Sequence, residues 1–304
     1  MNIFNIMKNF FTNTQKKFYY KTILGFYNNK TDEEFLKIFY KANIGEELNL
    51  DNPCTFNEKL QWLKLYDRKD IYTSLVDKYE VKKIVGNIIG NQYIIPTIGV
   101  WKKAKDIDFT GLPDKFVLKC THDSGGVLIV KDKNEINENR TKRKLQKLLQ
   151  KNYYMLNREW PYKNVIPRII AEPLIESKMC RDICDYKFMC FNGKHKCTFV
   201  CTGRNNEEGL HVTFYDKEWK IMPFERHYPR EYEAIDKPQN YDLMIELAEK
   251  LSKNIPFVRV DFYEVDGKVY FGEMTFFPGS GIEEFSPSYW DLELGKWINL
   301  SVEE

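Results

Sequence analysis

The chain has 304 residues, and its 46 Lys and Arg against 44 Asp and Glu leave a net charge of +2. With 30% charged and 43% hydrophobic residues it has the make-up of a soluble globular protein, long enough for one elaborate domain or two to three compact subdomains. Interleaved charges argue against a nucleic-acid footprint. No window suits a membrane span, and the apolar residues between Met1 and Lys17 are too scattered for an export signal.

Seven cysteines, an odd number without an export signal, favour a reducing cytoplasm. Cys180-x3-Cys184 and Cys197-x3-Cys201 have spacings that suggest zinc. Against this, Cys190, Cys197 and Cys201 lie in an apolar, strand-like run, where free Cys behaves as a small hydrophobe.

In chain order, residues 1–45 read as helices striped with Phe35, Ile38 and Phe39, and Thr31-Asp32-Glu33-Glu34 reads as a cap with acids in the first turn. The basic, aromatic stretch from Lys8 to Phe26 has a periodicity shared by packing helices and membrane-surface helices, with packing the expectation. Two helices are expected at 55–64 and 72–79. Short strands follow at 93–96 and 98–101, and longer ones at Phe116–Cys120 and 125–130. A charged helix at 134–151 precedes a strand at 169–175. Strands 186–191 and 196–202 form a hairpin around Asn192-Gly193, and a helix spans 241–254.

The last hairpin carries the densest chemistry. Residues 257–263 alternate apolar and polar at the strand period, Asp266-Gly267 signals a tight turn, and 268–275 alternate again. Arg259, Asp261, Glu273 and Thr275 are therefore expected on one face. Two carboxylates one cross-strand spacing apart repel and call for a cation between them. Oxygen-only ligands point to Mg²⁺ or Mn²⁺, which completes its shell with water and phosphate oxygens and makes a nucleotide the natural third party. Taken alone, the same acids also fit a solvated hairpin paired with nearby lysines.

A second cluster precedes it. Lys119 follows the apolar run Phe116-Val117-Leu118 and leads into Thr121-His122-Asp123-Ser124-Gly125-Gly126 and another strand. Small residues let backbone N–H groups approach phosphate oxygens, and the lysine supplies a point charge. The loop has neither the P-loop nor the Rossmann order of glycines, and an ordinary hairpin shares its outline.

Asp77-Lys78, Lys119 with its Ser-Gly-Gly loop, Glu172-Pro173-Leu174-Ile175, Asp185, Arg259/Asp261 and Glu273/Thr275 follow one another in an order that resembles the ATP-grasp superfamily over residues 70–285. More narrowly, Thr55-Phe56-Asn57-Glu58-Lys59-Leu60-Gln61-Trp62, the stretch Asp185-Tyr186-Lys187-Phe188 through Lys194, and residues 257–275 look like the TupA-like ATP-grasp family of bacterial surface-polysaccharide loci. The resemblance implies an α+β ATP-grasp fold, two α/β subdomains clasping ATP behind a helical N-terminal region. The implied boundaries are 1–75, 76–110, 111–180 (the lid) and 181–304 (the metal-bearing part).

By the same resemblance, Lys78 reaches the ATP phosphates, Lys119 contacts the α-phosphate and adenine N7, and Ser124, Gly125 and Gly126 fold over the phosphates. Glu172 accepts from the adenine amino group, the backbone of Leu174 and Ile175 reads the ring edge, and Asp185 binds the ribose. Lys187 and Arg204 are further phosphate contacts. Asp261 and Glu273 resemble Mg²⁺ ligands, and Arg259 the arginine that stabilises an acyl phosphate. Thr275 departs from the Asn common at the third ligand position; its hydroxyl has a shorter reach.

The implied reaction is ATP-dependent ligation of a carboxylate to an amine, with small-molecule or glycan substrates such as a uronic acid or amino acid of a capsule or exopolysaccharide precursor. A cytoplasmic enzyme is implied, associating peripherally with membrane-bound synthesis machinery. Gly279-Ser280-Gly281 is placed to close over the acceptor. None of His122, His195, His211 and His227 is needed as a base, and only His122 lies beside the phosphate loop. Two other classes stay open: a glycosyltransferase holding a sugar nucleotide through Asp261 and Glu273, although the hairpin has no D-x-D pair, and a non-catalytic nucleotide-binding assembly protein, suggested by Thr275.

Overall fold

The computed structural model describes residues 13–177, 183–203, 209–231, 233 and 235–300. Two antiparallel sheets organise it. The first contains β1 (Gly99–Trp101), β2 (Phe116–Cys120), β3 (Val127–Val130) and β4 (Ile169–Pro173) in the order β1-β4-β2-β3. The second begins with β5 (Asp185–Phe191), β6 (Lys194–Thr202) and β7 (His211–Tyr215). Past the short β8 (Glu225–Arg226), it is completed by β9 (Phe257–Val265) and β10 (Lys268–Thr275), in the order β10-β9-β5-β6-β7. A two-stranded ribbon joins β8 to β11 (Phe285–Ser286). Antiparallel sheets with helices packed beside them make the fold α+β, as expected.

Each sheet has one face sealed by a helix. Leu145 and Leu149 of the Glu138–Leu149 helix join Phe116, Leu118 and Cys120 in the first core. On the second sheet, Met244, Leu247 and Ala248 of the Tyr241–Leu251 helix pack with Phe188, Val260 and Phe262. Because side chains alternate across a strand, burying those even-numbered positions turns Lys187, Arg259 and Asp261 to the other face. That alternation is what aims the charged residues.

The Phe56–Tyr66 helix starts at a capping box in which Thr55 and Glu58 satisfy each other's backbone N–H groups. Phe56 then wedges against Phe257 at 5.0 Å between ring centres. Near the N-terminus, Phe18 of the Asn13–Ile23 helix packs against Phe35 and Phe39 of the Asp32–Ile44 helix, the expected packing role. No helix among the described residues is long and apolar enough to cross a membrane.

Several sequence expectations need correction. Residues 93–96 form no strand: a 3-10 turn spans Asn91–Tyr93, and the Ile95 carbonyl accepts from Lys82 Nζ at 2.8 Å instead of from a neighbouring strand. The charged helix begins at Glu138, because Asn137 caps it and Lys133–Glu135 forms a separate 3-10 turn. Strand 169–175 ends at Pro173, with one further bond from the Leu174 N–H to the Lys115 carbonyl. Lys78 lies on no helix. It sits in the turn between the Asp70–Val76 and Glu80–Ile89 helices, where the Asp77 carboxylate accepts from the backbone of Tyr79 and Glu80. Alternation in 268–275 also breaks once, at Gly272.

Candidate functional site

From Lys268 to Phe271, β10 pairs with β9 in regular register; Gly272 is then skipped, and Glu273 falls opposite Asp261 and Thr275 opposite Arg259. This one-residue bulge restores the acids and the hydroxyl to the Asp261 face. Arg259 occupies the gap between the carboxylates. Its Nε and Nη2 each donate to Asp261 at 2.7 Å, and Nη2 also reaches Glu273 Oε1 at 3.0 Å. The Thr275 hydroxyl donates to the same Glu273 oxygen at 3.4 Å. The cation that the paired acids require is thus already present as a guanidinium.

The register extends the row across the sheet: Glu273 opposes Asp261, Asp261 opposes Lys187, Lys187 opposes Phe199, and Phe199 opposes Phe214. Lys187 Nζ bridges Asp261 and Asp185, at 2.5 Å to each. Burial works against the Asp261 charge, yet Arg259 and Lys187 hold its pKa below the ordinary aspartate value. Burial raises that of Asp185 despite Lys187. Among the described residues no three His, Cys, Asp or Glu gather into a metal cage; the oxygen donors at the hairpin are Glu273, Asp261 and Thr275.

Across the cleft, Glu172 on β4 is 4% exposed and holds two lysines, Lys119 at Oε2 and Lys82 at Oε1, both at 2.6 Å. Burial alone would raise the Glu172 pKa, but the two ammonium groups overcome it and hold it low. Lys82 also donates to the Ile95 carbonyl and to Thr97 Oγ1, each at 2.8 Å. Lys78 Nζ donates to the Asp123 carbonyl at the start of the Ser-Gly-Gly loop.

These groups line one cleft of about 580 Å³ between the sheets, with six basic side chains (Lys78, Lys82, Lys119, Lys187, Arg226, Arg259) against four acidic ones (Glu172, Asp185, Asp261, Glu273). Ser124 and Gly125 also line it, whereas Gly126, Leu174, Ile175 and Thr275 do not. The Leu174 N–H donates to the Lys115 carbonyl at 3.4 Å. Arg204 lies outside the described residues, as does Cys180. His122 is 4% exposed and its Nε2 meets the Lys151 carbonyl at 3.1 Å, a structural placement.

The family model described as TupA-like ATPgrasp matches residues 58–299. The chain belongs to the TupA-like ATP-grasp family. No curated protein matches it. Among solved structures it is similar to D-alanine–D-alanine ligase from Bacillus anthracis complexed with ATP, at 19% identity and a TM-score of 0.38, covering 66% of this chain and 53% of that one. It is also similar to the D-alanine–D-alanine ligase from Helicobacter pylori, at 12% identity and a TM-score of 0.41, covering 80% and 69%. For N5-carboxyaminoimidazole ribonucleotide synthetase from Thermus thermophilus the values are 11% and 0.39, covering 72% and 51%. The chain thus spans about half the length of the first of these, and likenesses at this level do not bear on the chemistry of its site.

Two cleft residues of this TupA-like chain escape sequence reading. Lys82 lies beyond the helix expected at 72–79 and carries no sequence signal of a site residue. Arg226 sits in a segment without periodicity and carried no signal; it reaches the cleft through the β8–β11 ribbon.

Proposed function

We propose that the chain is an ATP-dependent carboxylate-amine ligase. One observation carries this reading: Arg259, locked between Asp261 and Glu273, faces Lys119 and Lys78 across a single cleft walled by the two sheets. Lys78, Lys119 and Lys187 supply positive charge for nucleotide phosphates, with Ser124 and Gly125 of the loop beside them. Glu172 holds Lys119 and Lys82 in place, one on each oxygen, and remains a proposed acceptor for the adenine amino group. Asp185, Leu174 and Ile175 remain proposed ribose and base contacts, and Gly126 a further part of the phosphate loop.

The donor set fits Mg²⁺. Glu273 keeps 42% of its side chain exposed, and of the roughly four acceptor sites on the Asp261 carboxylate the two cations use three. Glu273, with Asp261 and Thr275, would hold the ion, which supplies charge neutralisation on the transferred phosphoryl group. Arg259, held in place by Asp261 and Glu273, would stabilise the charge that develops on an acyl phosphate. In this reaction a substrate carboxylate oxygen attacks the γ-phosphorus and ADP leaves. An amine then attacks the acyl carbon and phosphate leaves, giving an amide.

Within that class we place the substrates among uronic acids, amino acids and surface-polysaccharide precursors, in the cytoplasm, with peripheral association with membrane-bound synthesis machinery, as the sequence resemblance implies. Phosphate release from ATP and Mg²⁺ in the presence of pooled uronic acids and amino acids tests the reading. Glu273→Gln should abolish it with the fold intact. Hydrolysis of UDP-sugars without ATP turnover would sink the ligase in favour of a glycosyltransferase.

A further inference from the structure

Arg226 lines the cleft but has no task in the chemistry above. It is 8% exposed and fixed by β8, whose register places it opposite Phe285. Its guanidinium carbon lies 4.4 Å from the centre of the Phe199 ring, and that of Arg259 lies 5.8 Å from the same ring. A buried guanidinium and a part-buried one therefore share one aromatic side chain.

Their neutralisation differs. Arg259 forks onto Asp261 and also reaches Glu273. Arg226 Nη1 lies 2.9 Å from Glu283 Oε2, yet among the described residues neither of these buried atoms makes a hydrogen bond of acceptable geometry. The Glu283 main chain is held on both sides and its side chain is packed. Its N–H donates to Asn57 Oδ1 at 3.0 Å, its carbonyl accepts from Asn57 Nδ2 at 2.8 Å, and its side chain packs against Gly279, where an added Cβ would lie 2.5 Å from its carboxyl carbon. Arg226 Nη1 is thus balanced in charge but unspent in hydrogen bonding, and an unspent buried donor is costly until an acceptor arrives.

The cross-sheet row says which acceptor. Its Glu273-Asp261-Lys187 end is charged and faces the lysines suited to phosphates, whereas Arg226 stands over the Phe199 and Phe214 end, 5.7 Å from the Phe214 ring centre, beside Leu210 and Val212. Aromatic and aliphatic walls with one planar fork suit an organic acid better than a polyphosphate. We propose that Arg226 anchors a carboxylate group of the acceptor substrate, holding it on the Phe199 wall beside Arg259. The assignment deepens the ligase reading and rests on it.

Ligand-observed NMR titrations test it, with succinate and D-glucuronate as probes and succinamide and D-glucose as their uncharged counterparts. Wild type, Arg226→Gln and Arg226→Lys are each measured with and without Mg²⁺ and a non-hydrolysable ATP analogue. Wild type should bind at least one acid and neither neutral counterpart. Arg226→Gln should weaken the acid at least about tenfold and Arg226→Lys less, with affinity for the analogue within about twofold of wild type. Unchanged acid affinity in Arg226→Gln, no acid binding by wild type, or loss of the analogue rather than the acid overturns the anchor. Should circular dichroism show Arg226→Gln unfolded, Arg226→Lys decides by whether acid affinity falls at all. Acid binding that depends on Arg226 in a protein that never binds the analogue upholds the anchor and sinks ATP dependence instead.

Discussion

Glu273 stands directly across the strand pair from Asp261 because Gly272 is left out of the β9–β10 register; regular pairing would have set Glu273 against Val260, on the buried face. A Cβ at Gly272 would lie 3.1 Å from both the Asp261 carbonyl oxygen and the Tyr263 ring. Gly272→Ala is therefore expected to cost about 1–3 kcal/mol and to displace Glu273. Thermal unfolding and ATP turnover measure the two effects; full turnover at an unchanged Tm would mean that the bulge accepts a side chain.

Thr275 is the weakest member of the proposed metal set, because its hydroxyl sits 3.4 Å from Glu273 and does not line the cleft. An amide reaches further than a hydroxyl. Thr275→Asn should lower the Mg²⁺ concentration giving half-maximal ATP turnover by about threefold or more, an effect typical of direct ligands or their supports. An identical Mg²⁺ dependence removes Thr275 from the metal site.

Lys64 is fully buried in the Phe56–Tyr66 helix and donates to Gln61 Oε1, the Asn157 carbonyl and the Ser280 carbonyl at 2.8–3.1 Å. Burial pushes its pKa down while Glu159 opposes, and burial pushes Glu159 up while Lys64 opposes. Lys64→Met leaves three acceptors and Glu159 without their cation, so a loss of about 3–5 kcal/mol is expected by chemical denaturation. A stability within about 1 kcal/mol of wild type, on the order of an exposed pair, would show that the network is dispensable.

His195 sets an acid limit to stability. It is 4% exposed, its Nε2 lies 2.8 Å from Thr198 Oγ1, and burial drives its pKa down to about 4 with Glu249 opposing. The unfolded chain takes up that proton near about pH 6.5. Because the folded pKa is the lower, the stabilisation is complete above about pH 6.5 and falls as pH drops towards about 4, by up to about 3 kcal/mol. His195→Gln should flatten this part of the Tm profile relative to wild type. Parallel profiles for the two proteins would remove His195 as the cause.

Legibility follows the range of each interaction. The hairpin at Asp266-Gly267, the cap at Thr31/Glu34 and the helix Tyr241–Leu251 are short-range features, and the sequence shows each of them because period and local hydrogen bonding suffice. The broken register at Gly272 was not legible, since nothing in Phe271-Gly272-Glu273 distinguishes a bulged glycine from a paired one. Lys82 illustrates the other limit: its partner Glu172 lies 90 positions on, so only the tertiary structure reveals the pair.

Alternation was enough to put Arg259 and Asp261 on one strand face, and the order of charged residues, through the family it resembles, pointed to an α+β protein with Glu273 beside them. Those properties depend on backbone period and local chemistry, which a linear string carries. Which cation separates the acids, which lysines Glu172 holds, and how Arg226 enters the cleft were decided by tertiary structure, because sheet register and contacts between distant segments set which charges meet in a buried space.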